Sequence, residues 1–285
     1  MKDSIDFGTT KVSSLFSKLL MPTLLGMVSS ALFVITDGIF VGRGLGSDAL
    51  AAVNIVAPLF LINTGIGLMF GVGASVVASI HLSHGKPKTA RINVTQAVIA
   101  LSMLVAAFSA LIVWRAPGVA CLLGSSERLL VPAVEYIYGA VPFFVFSAML
   151  SAGMFYIRLD ASPRYAMMCN VVPALLNIVL DYLFIFVFHW GVIGAAVATS
   201  LGYIAGAGMV MWYMLMMGRT IKLCRVKTHL RSLRMTRRNV GYMCRLGFPS
   251  LLCEAAIATM MFAGNYVFIA YLGEDGVAAY GVLMY

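Results

Sequence analysis

An all-α, polytopic membrane protein is the fold class this sequence predicts: a six-helix transmembrane lobe plus the start of a second lobe. Three observations carry that reading. Of the 285 residues, 61% are hydrophobic and only 11% charged, against about 25% charged in soluble domains, and the mean hydropathy is +0.94. Apolar runs long enough to cross roughly 30 Å of hydrocarbon, which takes about 20 helical residues, recur along the chain. A segment near the start also returns, in register, near the end.

The runs are Leu15–Val41, Leu50–Ile80, Val94–Trp114, Leu130–Ile157, Ala166–Phe188 and Gly191–Met217, with a seventh from Phe248 to Leu272. The first has no tidy small-residue cleavage site and reads as a retained anchor. An eighth begins at Gly276 and reaches only Tyr285, too short to span. Lys and Arg sort by side. The N-terminus and the even-numbered loops hold all of them except Arg43, Arg115 and Arg128. Cytoplasmic loops collect basic residues, so the expected arrangement is multi-pass in the cell membrane with a cytoplasmic N-terminus. The net charge of +9 is then a topology signal, and no nucleic-acid partner is expected.

The repeat pairs "MPTLLGMVSSALFVITDGIFVGRGLGSDALAAV" from Met21 with "FPSLLCEAAIATMMFAGNYVFIAYLGEDGVAAY" from Phe248. A shared P-x-L-L entry and LGxDxxAA exit at one offset point to duplication. Parallel repeats related by an axis along the membrane normal are a transporter plan. The expected units are residues 1–217 as the first lobe, 218–246 as a basic cytoplasmic linker and 247–285 as the start of the second lobe. On this reading the chain is C-terminally incomplete, and full function needs the missing lobe. Val226, Leu230 and Leu233 share a helical face within the linker, which suits a membrane surface as well as a solvated loop.

Acids within transmembrane helices are costly and face the bundle interior; Asp37, Glu135, Asp181 and Glu254 are the ones to weigh. Helical rise gives depth. Asp181 and Thr199 flank the turn centred on Trp190 at equal distance, and Asp37 precedes Leu45 by eight residues. All three lie about 12 Å below an outer turn, with Asn177 one helical turn from Asp181. Carboxylates, an amide oxygen and a hydroxyl suit a proton or a hard cation such as Na⁺, and two facing carboxylates in a low dielectric resist ionising together. In the repeat alignment Gly264 stands opposite Asp37, so the acid is not part of the helix architecture. Glu254 and Tyr203 are secondary candidates, and Glu135 reads as interfacial.

Other features read as structural. Gly65, Gly67, Gly71 and Gly73 suit close helix packing. His81 and His84 lack acidic partners, so no metal is expected. The cysteines form no CxxC and no disulfide framework. A P-loop is absent, leaving ion coupling over ATP.

The stretches "TDGIFVGRGLGSDALAAV", "GVGASVVASIHLSHGKPKTA", "RLDASPRYAMMCNVVPALLNIVLDYLFIF" and "GVIGAAVATSLG" resemble the multidrug and toxic compound extrusion (MATE) family, in its prokaryotic DinF-like or MepA-like branch. The resemblance implies two six-helix lobes forming a V and export of cationic or amphipathic small molecules in exchange for H⁺ or Na⁺, with no other cofactor. It also implies that the first-lobe coupling site is Asp37, Asn177, Asp181 and Thr199. Membrane lipids are the expected surroundings. The alternative is a lipid-linked saccharide flippase of the same superfamily, for which a more cationic cavity is expected. An enzyme is not expected, since His81 and His84 have no acid nearby.

Overall fold

The computed structural model describes residues 12–224 and 230–284, and every regular element among them is helical. Among the described residues, seven helices are long and apolar enough to cross a membrane. In chain order they are built from α1 (Val12–Leu45), α2 (Ser47–Ser83), α3 (Pro87–Trp114), the short α4 (Ala116–Leu122), α5 (Glu127–Ala140), α6 (Phe144–Leu159), α7 (Pro163–Asp181), α8 (Gly191–Trp212) and α9 (Leu230–Met284). The two faces of the bundle are named here by their turns, the Leu45 side and the Lys88 side.

Several boundaries depart from the expected ones for identifiable reasons. The fourth span is α5 and α6 in series, broken by a 3-10 turn at Val141–Phe143, because Pro142 has no N–H to continue the ladder. Both α7 and α8 end in wider π-helical turns, Tyr182–Val187 and Tyr213–Met217, closed by bonds from Phe188 N to Leu183 O and Gly218 N to Tyr213 O. The seventh helix starts far before Phe248. α9 is already helical at Leu230, so the boundary expected at 246/247 is not a break in the chain's local structure. Val226 lies outside the described residues, as do the side chains of Leu230 and Leu233.

The stretch that follows α8 is strapped to the bundle by polar groups remote in sequence. Asp160, buried at the end of α6, accepts bonds from Arg219 N and Thr220 N (both 2.7 Å), Ile221 N (3.0 Å) and the Tyr213 hydroxyl (2.9 Å). Arg91 donates to the carbonyls of Thr220 (2.7 Å) and Arg219 (3.1 Å), and Cys224 N donates to Thr95 Oγ1.

α2 is the central helix, and its glycines divide between two faces. A Cβ on Gly67 would lie 2.9 Å from Ala148 O, and one on Gly71 2.9 Å from Ala152 Cα, both on α6. Gly73 instead faces Met243 O, and Gly247 returns the contact against Met69 O. Small residues let these backbones touch.

The duplicated Leu-Gly builds the same turn twice. Gly46 has φ 90°, ψ −178° and Gly273, its repeat equivalent, φ 70°, ψ −159°. Only glycine adopts that region freely. Asn54 abuts its own equivalent Gly281, and Asn265 Nδ2 donates to Asn54 O (3.4 Å). Residues that exchange under a two-fold operation touch only beside the axis, so the repeats meet where α2 packs on α9. At the Leu45-side rim, Arg128 pairs with Asp48 (2.7 Å) and Glu274 (3.2 Å), and Tyr266 donates to Leu122 O (2.7 Å).

Candidate cation site and central cavity

The four residues singled out by depth come together. Asp37 of α1 is 9% exposed, Asn177 and Asp181 of α7 are fully buried, and Thr199 of α8 is 4% exposed. α7 presents Asn177 and Asp181 one turn apart on one face. Asp181 is its last α-helical residue before the π-helical turns, a kind of irregularity frequent at functional sites. Asn177 Nδ2 reaches Thr199 Oγ1 at 3.5 Å.

The Asp37 carboxyl and the Asn177 amide both lie against Asp181. No donor among the described residues is aligned on Asp37 Oδ1, on either Asp181 oxygen or on Asn177 Oδ1. Buried polar atoms are ordinarily satisfied, and each exception calls for a reason. Here four buried acceptor oxygens lie close together, and no donor is aligned on any of them. Such a cluster takes a proton or a hard cation and repels an anion.

Two cavities meet beside this cluster. The smaller, about 220 Å³, is lined by Asp37, Phe60 and Tyr136. The larger, about 560 Å³, extends toward the Lys88 side past Glu254, Asn170 and Arg158. Phe33, Val34, Thr199 and Tyr203 line both. Tyr203, one turn from Thr199, thus stands at the neck, within hydrogen-bonding reach of Ser147 and in the field of Asp37. The two secondary candidates separate. Tyr203 adjoins the cluster, whereas Glu254 faces the larger cavity against Gly65 of α2.

Three residues escaped the sequence reading. Tyr136, 4% exposed, is an aromatic in an apolar run, and only its position next to Glu135 could have drawn notice. Arg158 read as a loop cation but lines the larger cavity. Asp160 is not among the acids that the sequence singles out, and nothing local announces its distant partners.

The model of the family described as MatE matches residues 22–183, more than half of the chain. The chain belongs to the MatE family. Its relatives include the multidrug export protein MepA of Staphylococcus aureus, 24% identical over 268 residues, covering 92% of this chain and 57% of that protein. The chain therefore spans little more than half the length of the curated relatives it matches. Among solved structures, the MATE multidrug transporter DinF-BH superposes with a TM-score of 0.84 at 25% identity, covering 99% of this chain and 62% of that one. An inward-facing multidrug resistance MATE transporter of the MOP superfamily gives 0.78 at 25% identity, covering 93% and 59%. This MatE chain has the all-helical, multi-pass architecture of those transporters, and residues 22–183 contain Asp37, Asn177 and Asp181 but end before Thr199.

Proposed function

We propose that the chain supplies the ion-coupling lobe of an exporter that moves cationic or amphipathic small molecules out of the cell in exchange for H⁺ or Na⁺. The observation that carries this is the close approach of buried acceptor oxygens from Asp37, Asn177 and Asp181, on which no described donor is aligned, at the neck of a cavity large enough for a small molecule. Family membership and the multidrug-export names of the relatives support transport over a membrane-embedded enzyme. The cation, held by Asp37, Asn177, Asp181 and Thr199, neutralises the facing carboxylates; its departure restores their repulsion and favours a different arrangement of α1 against α7. A ligand shifts such an equilibrium only by its unequal affinity for the two arrangements. Residues 1–217 act as one lobe, joined through the basic stretch 218–246 to the second lobe begun by 247–285. The basic excess sets the Lys88 side in the cytoplasm of a cell-membrane protein.

The test, with the chain joined to its second lobe, is efflux of a fluorescent cation from everted vesicles across a pH range, with and without Na⁺. Asp37→Asn and Asp181→Asn each lose ion-driven export at normal membrane abundance, and the double variant is no worse than either single, since residues acting as one unit are non-additive. Wild-type efflux from both single variants would reduce the polar layer to packing. The flippase alternative expects a cavity dominated by cations. The larger cavity instead sets one, Arg158, against one acid, Glu254.

A further inference from the structure

The larger cavity carries opposite charges at two well-separated levels. Arg158 and Glu254 are its charged lining residues; the rest of its wall is apolar or neutral, including Met27, Phe155 and Asn170. The two are far apart. Ala148 lies against Gly67 and Ala152 against Gly71, so Arg158, farther along the same helix, is level with residue 77 of α2. Glu254 packs on Gly65. Twelve residues of helical rise separate those levels by about 18 Å. Neither charge makes an ion pair among the described residues, where Arg128 takes Asp48 and Glu274. Among the described residues, the half-buried guanidinium of Arg158 meets a ring face, that of Phe155 at 5.7 Å.

A half-desolvated guanidinium with free donors favours an oxyanion, since its fork matches a carboxylate or phosphate with two parallel bonds. A cavity built for cations alone gains nothing from it. Resting on the export reading above, we infer that Arg158 is an oxyanion subsite of the cargo cavity, which binds the anionic group of zwitterionic amphiphiles at the cavity's Lys88-side end while the apolar body and cationic end extend toward Glu254. Arg158 is then a specificity residue, and Glu254 serves both zwitterions and plain cations.

The test is equilibrium binding of the chain, in phosphatidylcholine nanodiscs, to 12-aminododecanoate and to its methyl ester. The two differ only in the carboxylate. The wild-type chain should bind the zwitterion about tenfold more tightly. Arg158→Gln should erase that preference by weakening the zwitterion alone, Arg158→Lys should retain part of it, and Glu254→Gln should weaken both ligands. Equal wild-type affinity for the two ligands, or equal weakening of both by Arg158→Gln, overturns the inference while leaving the cargo cavity standing. Binding of neither ligand overturns the cargo cavity as well. Loss of the preference in phosphatidylglycerol nanodiscs would assign Arg158 to the headgroup of an anionic lipid and also overturn the inference. Because no ion gradient is applied, loss of export in Asp37→Asn leaves these outcomes unchanged.

Discussion

Two buried acidic regions of this molecule are treated in opposite ways. Asp160 sits at the end of α6 with four donors on its two oxygens, three of them backbone N–H groups. Asp37 and Asp181 face each other with three oxygens on which no described donor is aligned. Hydrogen bonds to a charged group contribute about 1.5–3 kcal/mol each, so the first region stabilises the fold. The second costs stability, because carboxyl groups are desolvated there with no aligned donor to offset it. A buried acid with its donors in place is thus accounted for by the fold, and one without them is the candidate for a function. Burial alone does not separate the two: Asp160 is 4% exposed and Asp37 9%.

The comparison breaks most sharply on transport. Asp37→Asn or Asp181→Asn should reduce ion-driven efflux to background while protein abundance holds, whereas Asp160→Asn should leave efflux per folded molecule near wild type. If Asp160→Asn abolishes efflux at full abundance, the division of roles is wrong. Next in size is stability. Asp160→Asn should lower the unfolding free energy by roughly 2–3 kcal/mol, read as a lower melting temperature in detergent and faster proteolysis between Arg219 and Cys224. Asp37→Asn should leave the melting temperature unchanged or raised, since burying an amide costs less than burying a carboxylate. Opposite signs for these two substitutions are the expectation, and a fall of equal size in both would erase the contrast.

A smaller effect sharpens the identity of the cation. Thr199→Val removes a neutral oxygen from the cluster while keeping both carboxylates. A metal ion needs several oxygen ligands and a proton does not. Na⁺-driven efflux should therefore weaken several-fold where H⁺-driven efflux is unaffected; equal loss of both would show that Thr199 acts only in packing. Smallest of all is the exposed rim. Arg128 is 67% exposed in its pairs with Asp48 and Glu274, and exposed pairs contribute about 0.2–1 kcal/mol. Glu274→Gln should shift the melting temperature by less than any substitution above, and a larger shift would mark the rim as a structural clamp.

The sequence by itself determined the membrane class, five of the first six spans to within a few residues (the third begins at Pro87, seven residues before the expected Val94), the repeated Leu-Gly turn and the shared depth of Asp37, Asn177, Asp181 and Thr199. These are consequences of hydropathy and helical rise, local quantities that accumulate predictably along a straight helix. Counting from two turns therefore brought α1, α7 and α8 to one depth. Tertiary structure alone decided which acid is satisfied, because the donors on Asp160 come from about sixty residues away and carry no local mark. It also decided that α9 runs unbroken from Leu230 through a stretch whose basic composition reads as a linker. Charged residues do not oppose a helix; they only leave hydrophobicity too low to announce one. The glycines of α2 signalled close packing, but the choice of α6 or α9 as partner needed both helices in place. The same holds for Arg158, whose turn toward a cavity depends on the other helices that enclose it.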